Sequence, residues 1–132
     1  ILLHASGFRL AVVLTDSMEP AMPRWSLVAV APPWLVKPKV GDVILYKLRL
    51  ERGEWLVLHR VVAATQEGYL TKGDNRQFRD PWVVEERDVA GTVILCIPFA
   101  GFPLLASRLL APAAAGWLAY LAARELVEGG EA

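Results

Sequence analysis

Cysteine is almost absent from this chain: Cys96 is alone among 132 residues. A single thiol excludes an intrachain disulfide framework and a thiolate metal site. Its setting, Ile94-Leu95-Cys96-Ile97, predicts a core position. Histidine is nearly as scarce, with only His4 and His59. Neither sign of charge is in excess, 14 basic residues facing 14 acidic ones, so nothing favours nucleic acid or another polyanion as a partner. Internal repeats and a helix-turn-helix pattern are also missing. What the chain has in abundance is apolar surface. It is 55% hydrophobic, high for a soluble domain, which suggests contact with lipid or with a protein partner. The length predicts one domain with a core of its own.

The apolar residues are arranged mainly as strands. Leu10 to Thr15 is a valine-rich run that reads as a strand buried on both faces, ended by Pro20 and Pro23. Leu27 to Val30 is a second strand, stopped by Pro32-Pro33. Asp42 to Leu50 and Trp55 to Ala63 are β-rich runs joined by a hairpin signal, Glu51-Arg52-Gly53-Glu54. Tyr69 to Thr71 and Val89 to Ile97 complete the set. Between them, Gly73 to Pro81 is polar and turn-forming except for Phe78, and predicts a loop fixed by side-chain hydrogen bonds. After Pro103 the character changes to a leucine- and alanine-rich helix over 104–127, followed by an acidic tail over 128–132. Fifteen uncharged residues separate Arg108 from Arg124, fewer than the roughly twenty that span hydrocarbon. Three roles fit this helix: spanning a bilayer, lying in its interface, or packing on a partner. Residues 1–9 read as a leader.

Three residue types with complementary chemistry follow in order. Ser17 closes the first strand, His59 lies within another, and Asp74 and Asp80 flank the polar loop. A hydroxyl attacker, an imidazole proton acceptor and a carboxylate that orients the imidazole form a serine relay. Imidazole is suited to the middle role because it can take a proton and return it near neutral pH. Asp74 lies in the tight Gly73-Asp74-Asn75 turn, where its default role is to bond nearby backbone amides. By strand alternation Thr15 and Ser17 face the same side.

The words around these residues resemble the type I signal peptidases. They are Val12-Val13-Leu14-Thr15-Asp16-Ser17-Met18-Glu19-Pro20, Val40 to Tyr46, Leu58-His59-Arg60-Val61-Val62, Leu70 to Asn75, and Asp88 to Val93. His59 stands where the bacterial branch carries lysine. The chain is therefore most similar to the Ser-His branch, found in archaea and in the catalytic subunit of the endoplasmic reticulum complex. The resemblance implies a mainly β catalytic domain over residues 10–103, of the fold shared by signal peptidases and LexA-like repressor proteases. It implies Ser17 as nucleophile, His59 as general base and Asp80 as the third member, with Asp74 in a supporting role. The Ser17 amide and the Thr15 hydroxyl would form the oxyanion hole, and Val13, Met18 and Leu58 would touch substrate. Neither metal nor organic cofactor is implied. The partners expected are signal peptides of preproteins, the lipid membrane and other subunits. The domain would lie on the extracytoplasmic or lumenal face of the cytoplasmic or endoplasmic reticulum membrane. Ile1-Leu2-Leu3 would be the end of an N-terminal anchor.

Two positions depart from that pattern. Asp16 stands where the branch commonly has glycine before the nucleophile, and Pro23-Arg24-Trp25-Ser26 replaces a Gly-Asp pair. Two rivals belong beside the main reading: a LexA-like self-cleaving protease, and a non-catalytic domain of the same fold that binds membrane or partners. Asp16 favours the second.

Overall fold

The computed structural model describes residues 3–5 and 7–129, with backbone alone at 3–5, 104, 105 and 109. The anchor expected from Ile1-Leu2-Leu3 and the tail beyond Gly129 lie largely outside the described residues. Seven strands are seen: β1 (Leu3–Ala5), β2 (Phe8–Val12), β3 (Leu27–Ala31), β4 (Val43–Leu50), β5 (Gly53–Ala64), β6 (Tyr69–Lys72) and β7 (Val89–Ile97). Among the described residues they form one antiparallel sheet in the order β1-β2-β3-β7-β4-β5-β6; a 3-10 turn, Glu86–Asp88, precedes β7, and the α-helix α1 (Gly101–Gly129) follows it. This is the mainly β architecture with a C-terminal apolar helix that the sequence predicts.

β4 shows why the sheet carries a core on each face. Its residues alternate across the pleat. Val43 and Leu45 pack with Val13, Met18, Met22, Val28 and Val30, whereas Ile44 and Tyr46 pack with Val61, Tyr69, Val84 and Val89. Each fully buried aliphatic side chain of this kind contributes about 1.5–3 kcal/mol. Cys96 is partly buried against the first of these clusters. The hairpin expected near residues 51–54 is a two-residue turn, Leu50 pairing with Gly53.

The first strand differs from expectation. β2 starts at Phe8 and ends at Val12, and it is not buried on both faces: Leu10 is exposed and Leu14, beyond its end, is 56% exposed. The chain leaves the ladder after Val13, whose N–H and carbonyl bond Ser26 and Trp25, and turns through residues 15–22. The run is apolar throughout because its outward residues line a groove rather than a second core. Within the expected leader, β1 pairs with β2, Leu3 opposite Leu10.

The chain divides into two units, residues 1–101 and 102–132. The second consists of α1 alone. Its exposed positions include Leu110, Trp117, Leu118, Tyr120, Leu126 and Val127. By length and composition it is long and apolar enough to cross a membrane. Arg124 and Glu128 pair one turn apart at 3.0 Å near its end.

Candidate active site

The site forms where β5 runs out of partners. β5 pairs with β4 from Gly53 to Arg60, but its pairing with β6 begins only at Arg60, opposite Lys72. His59 is thus the last residue of the open edge before pairing with β6 begins. The sheet curls so that this edge, Leu56 to His59, and the segment Ala11 to Thr15 line one groove, although β3, β7 and β4 intervene in the strand order. Val13, Leu58, Ser17 and His59 all line it, with Arg76 and Trp82.

The loop after β6 closes the site. Gly73 follows β6 directly, and a methyl group there would fall 2.8 Å from Ser17 O and 3.2 Å from His59 Nε2. Only a residue without a Cβ lets the loop pass between them. Asp74 holds Arg60 with two bonds of 2.8 Å, and this pairing carries its pKa below the usual carboxylate value. Asn75 donates its N–H to Ser17 O at 2.8 Å and its side-chain amide to Asp16 O at 3.1 Å. The loop then returns, Asp80 N–H bonding Thr71 O at 2.8 Å. That return sets Asp80 Oδ2 2.6 Å from His59 Nδ1, both side chains largely buried. The two carboxylates therefore have separate partners: Asp80 meets the imidazole, and Asp74 meets a guanidinium rather than backbone amides.

The Ser17 hydroxyl shares a hydrogen bond with Thr15 Oγ1 at 3.1 Å. Residues 13–17 are not strand, so it is the turn that brings these hydroxyls together, not β alternation. Among the described residues the Ser17 N–H enters no hydrogen bond and is open to an acceptor. Met18 is placed otherwise than expected. It is fully buried in the core cluster, its sulfur 3.4 Å from Asp74 N, and does not line the groove. The following turn folds its long side chain inward, where a flexible thioether fills the space.

Asp16, the unusual residue before Ser17, has a partner. Arg76 Nη2 donates to Asp16 Oδ1 at 3.0 Å, and that bond lowers the carboxyl pKa more than any other influence. The same loop that carries Asp80 thus supplies a counter-charge to Asp16, in an exposed pair. Sequence reasoning missed Arg76, and also missed Tyr46, Thr71 and Trp82, whose polar atoms gather behind Asp80. Metal chemistry has no candidate cluster of His, Cys, Asp and Glu among the described residues.

No family model matches the chain. Among curated proteins it is similar to catalytic subunits of signal peptidase complexes, which are its homologues. The signal peptidase complex catalytic subunit SEC11 of Colletotrichum graminicola is 32% identical over 108 residues, 70% of this chain and 60% of the relative. The corresponding subunits of Sclerotinia sclerotiorum and Verticillium alfalfae match at the same identity and coverage. The chain thus spans about 60% of the length of these relatives.

Proposed function

We propose that this chain is a membrane-associated serine endopeptidase that removes N-terminal signal peptides from secreted and membrane preproteins. The observation that carries the reading is the 2.6 Å bond between His59 Nδ1 and Asp80 Oδ2, in a groove shared with Ser17. The homologues, named as catalytic subunits of signal peptidase complexes, support the same conclusion and point to other subunits as partners.

With Nδ1–H committed to Asp80, His59 keeps the lone pair of Nε2 free to accept a proton in the groove it shares with Ser17. For attack, Ser17 Oγ–H turns from Thr15 to that nitrogen. Oγ bonds the scissile carbonyl carbon as its proton passes to Nε2. The resulting oxyanion takes hydrogen bonds from Ser17 N–H and the Thr15 hydroxyl, an arrangement in which one donor is worth ~10²–10³ in rate. The C–N bond then breaks as Nε2 returns the proton to the leaving amine. Water, deprotonated by the same imidazole, hydrolyses the ester. Asp80 stabilises the imidazolium throughout, and Asp74 supports the strand that carries His59 through Arg60.

An extended peptide fits between Val13-Leu14 and Leu56 to Leu58, bonding the open edge of β5 as an added strand. The apolar walls at Val13 and Leu58 suit small uncharged side chains before the cut, which signal peptides supply. The length and apolar composition of α1 support attachment to a membrane, and the reading has the catalytic unit on its extracytoplasmic or lumenal face.

The test is cleavage of a preprotein by the full chain in detergent, beside Ser17→Ala and His59→Ala. Wild type is expected to release the signal peptide and both variants to be inactive yet folded. Undiminished cleavage by His59→Ala would overturn the reading. Self-cleavage alone would indicate the repressor-type protease, and binding without cleavage a non-catalytic domain.

A further inference from the structure

Register puts three polar side chains on one face of the sheet. Ile44 lies opposite His59, Tyr46 opposite Val57, and Thr71 opposite Val61. Residues directly opposite each other share a face, as do residues two apart on one strand. Tyr46, His59 and Thr71 therefore point the same way, and the bond from Asp80 N–H to Thr71 O lays Asp80 over them. Tyr46 and Thr71 are buried at 1% and 0% exposure, so each polar atom must find a protein partner.

The partners form a chain of donors with one direction. An indole N–H can only donate, and Trp82 Nε1 gives its hydrogen to Tyr46 Oη at 3.1 Å. Tyr46 must then point its own hydrogen onward, to Asp80 Oδ2 or Thr71 Oγ1, each 3.2 Å away. Thr71 donates to Asp80 Oδ2 at 2.6 Å. With His59 Nδ1 also at 2.6 Å, one carboxylate oxygen has three neighbouring donors and is an acceptor only. Burial, before any other influence, pushes the Tyr46 phenol up to about 12, so it stays a donor across the working pH range.

On the assumption that Ser17, His59 and Asp80 act as above, we propose that Trp82, Tyr46 and Thr71 are positioning residues that lock Asp80 in place and so fix His59 in its Nδ1–H tautomer. Without them the carboxylate could turn, and an imidazole free to carry its proton on Nε2 cannot accept one from Ser17. Trp82 has a second attachment, because its side chain also lines the groove. A peptide lying against the indole presses on the group whose N–H heads the donor chain. Groove occupancy and imidazole orientation are thereby joined through four side chains.

The experiment uses the full chain in detergent micelles, labelled with ¹⁵N-histidine. A His4→Gln background leaves His59 as the sole imidazole. Ring-nitrogen shifts report the tautomer without substrate, and preprotein cleavage gives kcat and KM. Thr71→Val keeps the shape and removes the hydroxyl. It is expected to shift His59 toward a mixture of tautomers and to lower kcat roughly tenfold or more at unchanged KM. Thr71→Ser should restore both. Tyr46→Phe keeps its ring and Trp82→Phe keeps an aromatic side chain without the N–H, and each should lower kcat by about three- to tenfold, as loss of a longer bond implies. Wild-type tautomer and kcat in both Thr71→Val and Tyr46→Phe would overturn the proposal. So would Thr71→Ser as impaired as Thr71→Val, since that would mean packing and not the hydroxyl matters. A His59→Ala enzyme that still cleaves would sink the catalytic reading instead, while the spectra judge the donor network on their own.

Discussion

His59 and Arg60 are neighbours on β5 and divide the two carboxylates of one loop between them. His59 Nδ1 meets Asp80 Oδ2 at 2.6 Å, and Arg60 meets both oxygens of Asp74 at 2.8 Å. Adjacent residues on a strand face opposite ways, so a loop that satisfies both must straddle the strand at its open edge. The two carboxylates are thus separated by geometry, although only five residues lie between them in the chain.

Asp80→Asn should remain folded and lose on the order of 10⁴ in kcat, because the amide keeps the size but not the charge that steadies the imidazolium. Asp74→Asn should retain most of its turnover. It loses a charge-assisted, largely shielded pair worth about 1–2 kcal/mol, which lowers the melting temperature by roughly 5–10 °C. Steady-state kinetics and thermal melts of both variants check this. Near-normal turnover in Asp80→Asn beside a dead, folded Asp74→Asn would reverse the roles.

The Asp74–Arg60 pair also sets an acid limit on stability. Asp74 has its carboxyl held below the usual carboxylate range, first by the hydrogen bond from Arg60. A depressed folded-state pKa gives stability that is fully present above the unfolded value and lost as pH falls through the folded one. The difference in melting temperature between wild type and Asp74→Asn should stay constant above about pH 5 and shrink below about pH 4. A gap that persists undiminished in strong acid would show that the ion pair is not its source.

Gly73→Ala tests the closeness of the loop. The new methyl would stand 2.8 Å from Ser17 O and 3.2 Å from His59 Nε2. Backbone cannot yield as a side chain can, so the nucleophile and base are forced apart. A displacement of this kind costs ~10² in kcat, with a melting temperature that falls only modestly. Full activity in Gly73→Ala would mean that the loop relaxes and that the spacing is not critical.

Removing residues 102–132 should leave the β unit with its strand signature in circular dichroism, since the chain divides at that point. The same deletion should abolish co-flotation with liposomes, because α1 is the helix long and apolar enough to cross a membrane. Equal, poor flotation of both forms would assign α1 to a protein partner instead of lipid.

Most strands could be read from the sequence, because β-branched residues alternate with clear breakers. Val89 to Ile97 is found over its full length. The exception, Leu10 to Thr15, misleads because an apolar residue looks the same whether it faces a core or a groove. Ser17, His59 and Asp80 could be picked out from the words around them, whereas the partner of Asp74 could not: it meets Arg60 instead of the backbone amides expected of a turn carboxylate. The donors behind Asp80 could not be picked out either. Tyr46 and Trp82 lie 36 residues apart and meet only through the β4–β5–β6 register. A buried tyrosine two residues beyond the position facing the histidine is the signal that a register-based reading could have used. Met18 was misplaced because its word belongs to the nucleophile, whereas its side chain belongs to the core.

Asn75 is fastened to Ser17, and Asp80 to Thr71, while residues 76–79 between these fastenings are exposed. The entropy of closing a flexible segment grows only with the logarithm of its length, about 0.6 kcal/mol per doubling. Chain length between Gln77 and Phe78 is therefore nearly decoupled from the spacing of the reacting groups. A peptide epitope or a dye-bearing insert threaded there would ride on the rim of the groove as a built-in reporter of peptide arrival, while the fastenings on either side keep Asp80 and Ser17 in place.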